Sequence, residues 1–220
     1  VWAADNTREA LFDALQRREV YASTGPRITL RLFVGWGFTG EELDDADFAA
    51  LGYSAGVPMG GQLKGYCEQT GQLSILVKAS KDPLGANLDR IQIVKGWIEQ
   101  GEYREQVYDV ALSDGRELRE DGQVLKVGNT VDSQGATYAN TIGAAELGTV
   151  WTDREFDAEQ QAFYYARVLE IPTPRWTTYD AAAFEIPPPD NVPRAVQQRV
   201  YSSPVWYEPL EAAAGPDCRG

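Results

Sequence analysis

The sequence predicts a mainly β protein in which an antiparallel, immunoglobulin-like β-sandwich follows one helical unit. Short runs rich in Val, Ile, Tyr and Trp alternate between apolar and polar positions, and Gly, Asp, Asn and Pro separate them. After residue 20 the sequence lacks the long helical runs that a series of β-α-β units needs. The strands are therefore expected to pair with one another in antiparallel sheets.

The helical unit precedes the strands, at residues 5–18. Asn6 can cap its N terminus, and Glu9 follows three positions later, as in a capping box. Apolar positions follow at helical spacing: Leu11, Phe12 and Leu15. The Gly25-Pro26 pair then breaks the backbone, and the apolar period changes to two.

Six strands are predicted from the alternation. They cover residues 28–34, 73–80, 88–95, 106–112, 162–171 and 203–207. The turn dipeptides Asp114-Gly115 and Asp121-Gly122 predict an irregular hairpin between residues 106 and 127. A polar turn that starts at Asp157 leads into the aromatic-rich strand at 162–171, a place where immunoglobulin-like domains often have a tyrosine corner.

Two segments are predicted to be irregular. Residues 35–65 contain an acidic stretch at 41–47, which is either a solvated loop or a set of oxygen ligands for calcium, although it lacks the spacing of a calcium-binding loop. The glycine-rich residues 56–61 do not fit a phosphate-binding loop. Residues 172–202 are rich in proline and include a short predicted helix that begins at Pro193.

Composition and charge exclude several functions. The net charge is −13, so the surface repels phosphate backbones and anionic lipid heads, and neither nucleic acid nor a membrane surface is an expected partner. No apolar run is long enough to span a bilayer, so membrane insertion is not expected. The 220 residues contain no histidine, which excludes a Ser-His-Asp or Cys-His catalytic set within this chain.

The turn between the helix and the first strand is the first candidate substrate-binding site. Thr24 and Arg27 offer a hydroxyl and a guanidinium to a phosphate or carboxylate group. The alternative is that Thr24 stabilises the turn and Arg27 faces solvent or an interface. The sequence alone leaves both interpretations open.

Arg175, Trp176 and Tyr179 form the second candidate site, because two prolines end strand pairing just before them. An aromatic and cationic ledge of this kind can hold an anionic or ring-bearing ligand. The alternative is an arm that packs on a neighbouring domain, where Trp, Tyr and Arg are also enriched.

The chain has two cysteines, Cys67 and Cys218. A disulfide between them would anchor the C-terminal tail, and closing so long a loop would stabilise the fold by about 4–5 kcal/mol. Two unpaired thiols are the alternative. Without histidine, the two cysteines do not make a zinc site.

Several long motifs occur in order: NTREALFDALQRREVYASTGPR, GVPMGG, LDRIQIVKGW, NTIGAAEL, FYYARVLEIPTPRWTTYDA and QQRVYSSPVWY. On these motifs, residues 1–207 resemble the family of domain of unknown function 3604, which is similar to the PHP (polymerase and histidinol phosphatase) group of metallohydrolases. The resemblance implies a longer protein with an upstream α/β barrel that holds Zn, Mn or Fe ions. Residues 1–26 would then be the last strand-helix unit of that barrel, 27–210 a C-terminal β-sandwich and 211–220 a tail.

The resemblance also implies a function. The chain is expected to be the C-terminal segment of a metal-dependent hydrolase that acts on phosphoester or other ester-like bonds of a small molecule. Its partner would be the upstream barrel; the segment itself would hold no cofactor and would be inactive alone. Export to the periplasm or the exterior is also implied, in agreement with a Cys67–Cys218 disulfide.

Two alternatives to the hydrolase segment stay open. One is a binding module that grips a saccharide or a peptide through Trp176 and Tyr179. The other is a purely structural sandwich that supports the barrel. Because Leu11, Phe12 and Leu15 then have too small a local core, the chain would also be a candidate for homo-oligomerisation.

Overall fold

The computed structural model of the chain describes residues 1–65, 71–117 and 124–209. Three α-helices occur in this part of the chain: α1 (Arg8–Gln16), α2 (Phe48–Ala55) and α3 (Trp176–Phe184), with a 3-10 turn at Glu41–Leu43. The strands in the same residues are β1 (Tyr21–Ser23), β2 (Thr29–Trp36), β3 (Gly56–Pro58), β4 (Gln62–Lys64), β5 (Leu73–Ser80), β6 (Leu88–Glu99), β7 (Glu102–Leu112), β8 (Glu146–Thr152), β9 (Ala162–Glu170), β10 (Thr173–Pro174), β11 (Ala195–Val196), β12 (Arg199–Ser202) and β13 (Val205–Glu208).

The larger sheet has seven strands and is built around β9. One edge of β9 pairs with β6, which pairs in turn with β7. The other edge pairs with β12 along the C-terminal half of β9 and with β13 along its N-terminal half. Strand β1 extends the sheet beyond β12, and β4 lies parallel to β13; the other pairings in this sheet are antiparallel.

The second sheet has four strands in the order β3-β2-β5-β8, all antiparallel, and β10 and β11 form a separate antiparallel pair. One buried apolar cluster contains residues of both larger sheets. Its members include Leu30, Leu32, Ile75 and Val77 from the four-stranded sheet and Ile91, Ile93, Tyr164, Ala166 and Val168 from the seven-stranded sheet. The prediction of a mainly β fold with antiparallel sheets is confirmed.

A smaller apolar cluster lies on the opposite face of the four-stranded sheet. Phe33 and Leu76 point to that face and pack with Phe38. Helix α2 approaches Phe33 closely at Gly52, where a Cβ atom would lie 2.4 Å from the phenyl ring. The segment at 35–65, predicted to be irregular, contains helix α2. Gly52 has no side chain, so this helix can approach the sheet closely.

Helix α1 begins one residue later than the sequence predicts. Thr7 is the N-cap, and its side-chain oxygen accepts a hydrogen bond from the backbone N–H of Ala10 at 3.3 Å. The prediction that Asn6 caps the helix is therefore wrong. Both residue types can cap a helix, and Thr7 has the extended backbone conformation that a cap requires (φ −115°, ψ 159°).

A tight hairpin joins β6 and β7, upstream of the irregular hairpin predicted between residues 106 and 127. Strands β6 and β7 pair from Glu99 and Glu102 onward, and Gln100 and Gly101 form the turn between them. Both turn residues have positive φ (52° and 82°), which matches a turn that follows the twist of a hairpin.

Asp114 and Gly115 of the predicted segment form a turn in which both have positive φ (59° and 61°). The irregular hairpin itself stays a prediction, because residues 118–123, which include Asp121 and Gly122, lie outside the described part of the chain.

The segment around Pro193 is extended, so the prediction of a helix there is wrong. Ala195 and Val196 pair with β10, and the backbone carbonyl of Arg194 accepts hydrogen bonds from the Arg175 N–H at 2.9 Å and the Thr178 hydroxyl at 2.7 Å. The helix of this region is α3. The Arg194 carbonyl accepts hydrogen bonds from the start of α3, and these two hydrogen bonds hold the backbone at residue 194 extended.

The N-terminal residues contact the β-sheet part of the chain directly. Strand β1 is part of the seven-stranded sheet, and the Trp2 indole donates to the Leu30 carbonyl at 2.9 Å. The boundary at residue 26, between a barrel unit and a sandwich, stays a prediction. Of the helices described, none is both long and apolar enough to cross a membrane.

Candidate functional site

Thr24 follows β1 and forms hydrogen bonds with residues at the start of β12. Its hydroxyl donates to the side-chain oxygen of Gln198 at 2.5 Å and accepts from the backbone N–H of Arg199 at 3.0 Å. These contacts engage the hydroxyl in the turn, as the stabilising interpretation of Thr24 requires. A direct role of Thr24 in substrate binding stays a prediction.

Arg27 lies beside an acidic residue and is largely exposed. Its backbone N–H donates to the Oδ2 atom of Asp82 at 2.8 Å, and its Nε atom is 3.7 Å from the same oxygen. The Arg27 side chain is 81% exposed, whereas that of Asp82 is 10% exposed. Asp82 therefore fixes the backbone of Arg27, while the Arg27 side chain is largely exposed to solvent.

The Asp82 carboxylate is held by a tight loop, residues 81–85, that follows β5. Its second oxygen accepts from the Leu84 N–H at 3.0 Å, and the Lys81 ammonium donates to the carbonyl oxygens of Asp82 and Gly85 at 3.0 and 2.8 Å. The backbone hydrogen bonds from Arg27 and Leu84 lower the pKa of Asp82. Asp82 therefore stays ionised under ordinary conditions.

Glu170, the last residue of β9, is the second carboxyl of this site. The residue is 2% exposed, and its Oε1 atom has no hydrogen-bond partner in the described part of the chain. Its backbone is well fixed, since the N–H donates to the Gln198 carbonyl at 2.9 Å and the carbonyl accepts from the Gln197 side chain at 2.8 Å. Gly85 leaves room for the carboxyl, because a Cβ there would lie 3.3 Å from Oε1.

The pKa values of the two acids are shifted in opposite directions. Burial raises the pKa of Glu170 from its ordinary 4.5 to about 7, and the negative charge of Asp82 adds to the effect while Lys81 opposes it. A carboxyl with a pKa near neutrality can both donate and accept a proton at physiological pH. Pairs of acids whose environments separate their pKa values are typical of proton-transfer sites.

Tyr138 is electrostatically coupled to the acid pair. Burial raises its pKa most, and the negative charges of Glu170 and Asp82 raise it further. We call Arg27, Asp82, Tyr138 and Glu170 the acidic site.

The second predicted site adopts a different local structure from the extended arm expected. Arg175 is the N-cap residue of α3, and Trp176 and Tyr179 lie in its first turn. Trp176 is 65% exposed and Tyr179 is 45% exposed, and the Arg175 guanidinium lies 5.6 Å from the Trp176 ring centroid. The three residues lie at the N-terminal end of the helix, and we call them the ledge on α3.

Sequence reasoning missed Asp82, Tyr138 and Glu170. With 33 acidic residues in the chain, no pair of carboxylates could be selected by pattern. The available signals were local: a Lys-Asp-Pro turn directly after β5, and a glutamate directly before Ile171-Pro172, where strand pairing ends. Only the pairing of the strands shows that these positions meet.

A buried ion pair lies elsewhere, between the seven-stranded sheet and the loop after β8. The Lys95 ammonium is 2.6 Å from the Oδ2 atom of Asp153, which also accepts from the Tyr164 hydroxyl at 2.7 Å. Lys95 and Asp153 are each 3% exposed. The Tyr164 hydroxyl therefore bonds a carboxylate, whereas the hydroxyl of a tyrosine corner bonds the backbone. Because the ammonium and the carboxylate are paired, we assign this cluster to stability.

Within the described residues, no group of three or more His, Cys, Asp or Glu side chains is arranged to hold a metal ion. No chemical step is assigned to a metal ion in this part of the chain. Cys67 and Cys218 both lie outside the described residues, so the disulfide stays a prediction.

The fold and site define a mainly β chain with a buried acid pair at one end of its larger sheet. The chain belongs to the family described as protein of unknown function (DUF3604), which it matches over residues 1–209. Comparison with curated proteins and with solved structures gave no significant match.

Proposed function

We propose that this chain is the C-terminal segment of a metal-dependent hydrolase and that its acidic site forms part of the substrate-binding wall. The observation that carries the proposal is Glu170: it is 2% exposed, one of its oxygens has no hydrogen-bond partner among the described residues, and its pKa is raised to about 7. Burying such a group without a partner costs stability, and sites of this kind occur chiefly where function requires them.

Each side chain of the acidic site has a chemical role in this proposal. The exposed Arg27 guanidinium binds an anionic substrate group, such as a phosphate or a carboxylate. Ionised Asp82 positions Arg27 through its backbone N–H, and Glu170 holds a proton that it can give to a substrate oxygen. The negative charges of both carboxyls act on Tyr138, which stays a neutral phenol.

The fold-level part of the proposal is finer than the mainly β description. We propose that the two sheets form an immunoglobulin-like sandwich and that residues 1–26 are the last unit of a PHP-like barrel. The divalent ions (Zn, Mn or Fe) would then be held upstream of this chain, where they would activate water for hydrolysis. The support is the family membership together with the sequence resemblance of that family to the PHP group.

The proposal is tested by comparing this chain with a longer protein that includes the upstream region. We expect elemental analysis to find divalent metal in the longer protein and hydrolysis of an aryl phosphate or aryl ester that a chelator abolishes. In the longer protein, Arg27→Ala should raise KM more than it lowers kcat, because Arg27 contacts the substrate rather than the reacting bond. Arg27→Lys is the matched control that retains charge.

Two results would contradict the proposal. A longer protein that retains its upstream sequence but binds no metal would remove the hydrolase assignment. An unchanged KM in Arg27→Ala would remove Arg27 from the substrate site and return it to a residue of the domain surface.

A second candidate function is a binding module for saccharides or peptides that uses the ledge on α3. The observation that favours it is the exposure of Trp176 and Tyr179 in one helical turn. Titration of this chain with glycans and peptides should change tryptophan fluorescence, and Trp176→Phe should weaken the response. A flat signal across a broad panel would count against it.

The third candidate, a structural module, is favoured by the apolar side chains of α1. Phe12 is 57% exposed and Leu15 is 55% exposed. A packing partner for this face, either an upstream domain or a second copy, would cover them. Sedimentation of this chain should then reveal self-association that Phe12→Ser weakens, and a strictly monomeric wild-type chain would count against a second copy.

A further inference from the structure

A row of aromatic rings lies on the outer face of the seven-stranded sheet. Side chains alternate along each strand, so residues next to core residues point away from the core. Tyr164, Val200 and Tyr207 are core residues, and their neighbours are aromatic. We call this set the aromatic face: Tyr103 of β7, Phe163 and Tyr165 of β9, Tyr201 of β12 and Trp206 of β13.

Four of these rings form a continuous row across three strands. The centroids of Trp206 and Phe163 are 5.1 Å apart, those of Phe163 and Tyr165 are 6.3 Å apart, and those of Tyr165 and Tyr201 are 6.5 Å apart. The planes of Phe163 and Tyr165 differ by 12°, so these two rings present nearly parallel planes. A ring-bearing ligand can contact several of them at once.

Gly96 of β6 creates a shallow groove beside this row. A Cβ atom at Gly96 would lie 2.2 Å from the Phe163 ring, so the ring rests directly on the backbone of the neighbouring strand. The resulting groove has a volume of about 370 Å³. Its lining includes Ile98, Tyr103, Gln161, Phe163, Trp206 and Glu208.

The lining of the groove is mostly apolar. Trp206 is 45% exposed, Tyr103 is 59% exposed and Ile98 is 61% exposed. Gln161 and Glu208 are also lining residues, and the exposed Glu105 accepts a hydrogen bond from the Tyr103 hydroxyl at 2.8 Å. Carboxylate and amide oxygens near apolar rings suit a ligand that brings hydroxyl donors.

Charge decides between ligand classes. The chain has a net charge of −13, and Glu208 is the charged residue in the groove lining. The cation Arg167 lies at the far end of the aromatic row, opposite Tyr201. Nucleic acids, acidic glycans and anionic lipid surfaces are therefore repelled. A neutral sugar chain combines flat faces of C–H groups, which pack on aromatic rings, with hydroxyl groups that donate to carboxylates.

We propose that the aromatic face binds a neutral oligosaccharide or polysaccharide. Sugar rings pack on Phe163 and Trp206, and their hydroxyls donate to the oxygens of Glu105, Gln161 and Glu208. The site is separate from the acidic site, because Phe163 and Glu170 are seven residues apart on β9, or about 23 Å along an extended strand. The inference is independent of the hydrolase proposal.

The test uses the 220-residue chain and three neutral soluble polysaccharides: mixed-linkage β-glucan, galactomannan and dextran. Affinity electrophoresis and calorimetry should detect binding to at least one of them. Trp206→Ala should weaken that binding about tenfold or more, since truncating a central aromatic anchor commonly has an effect of this size. Trp206→Phe should retain most of it, because the ring remains.

Phe184→Ala is the matched control, because it removes an exposed aromatic side chain that is part of neither proposed binding site. Binding that Trp206→Ala weakens and Phe184→Ala leaves unchanged supports the proposal. Three results overturn it: binding that Trp176→Ala weakens and Trp206→Ala does not, binding to heparin alone, or no binding to any of the three neutral polysaccharides. Trp206-dependent dimerisation without sugar binding also overturns it, since a second copy would then occupy the face.

Discussion

Two carboxyl groups of the acidic site differ because their immediate partners differ. Asp82 accepts backbone hydrogen bonds from Arg27 and Leu84, which favour its ionised form. Glu170 is buried, and one of its oxygens has no partner in the described part of the chain, so its neutral form is favoured. The same functional group therefore holds a charge at one position and a proton at the other.

Glu170→Gln tests the buried carboxyl through the pH dependence of stability. The folded chain keeps a proton on Glu170 up to about pH 7, whereas an unfolded glutamate loses it near pH 4.5. Wild-type stability should therefore fall as pH rises from about 4.5 to 7, and the amide of the variant should not titrate. We expect the variant to gain about 1–2 kcal/mol relative to wild type between about pH 4.5 and about pH 8, measured by urea unfolding.

Glu159→Gln is the control, because Glu159 is exposed. Its stability difference from wild type should be the same at both pH values. If Glu170→Gln also shows a constant difference, the pKa of Glu170 is the same in the folded and unfolded chains, and its assignment as a proton donor is lost.

Asp153→Ala tests the buried ion pair with Lys95. The change leaves a buried ammonium that has lost its carboxylate at 2.6 Å, and it removes the acceptor of the Tyr164 hydroxyl. We expect a loss of about 3–5 kcal/mol in the free energy of unfolding. Adding Lys95→Met to Asp153→Ala should restore part of that loss. If the double variant instead loses as much unfolding free energy as the two single variants together, Lys95 and Asp153 are not coupled.

At the scale of elements, α1 illustrates how a short helix depends on its cap. It has nine residues, too few for a stable isolated helix, and Thr7 satisfies the Ala10 N–H in its first turn. Thr7→Ala should destabilise the chain by about 0.5–1.5 kcal/mol, and Thr7→Ser should cost less because it retains the hydroxyl. Thermal unfolding measures both, and equal loss in the two variants would exclude a capping role.

The elements that formed elsewhere than predicted were decided by contacts between segments. Proline at the first position and a short polar run made residues after Pro193 resemble a helix start. The chain instead pairs Ala195 and Val196 with β10, and the Arg194 carbonyl accepts two hydrogen bonds from the first turn of α3. A local pattern cannot anticipate a hydrogen-bond partner that lies in a separate segment of the chain.

At the scale of the whole molecule, the proposed disulfide makes a direct prediction. If Cys67 and Cys218 are paired, intact-mass analysis of unreduced protein should find no free thiol, and peptide mapping should recover the two linked. Reduction should lower the stability by about 2–5 kcal/mol, because a long loop is released. Two thiols that react freely with an alkylating reagent in the native protein would exclude the disulfide and weaken the proposal of export.

The sequence by itself determined the mainly β class, the positions of several strands and the alternation that places Tyr164, Ala166 and Val168 in the core. These features follow from the period of two along each strand, which is a local property. The sequence also placed Arg27 and Tyr179 among the candidate residues, each by a separate argument.

The tertiary structure decided which residues form sites. Asp82 follows β5, Tyr138 lies in a loop and Glu170 ends β9, and they come within electrostatic reach only when the strands are paired. Likewise, Trp206 lies beside Phe163 because β13 pairs with the N-terminal half of β9. Burial and charge-charge interactions depend on distances through space, so the raised pKa of Glu170 and the aromatic face exist only in the folded chain.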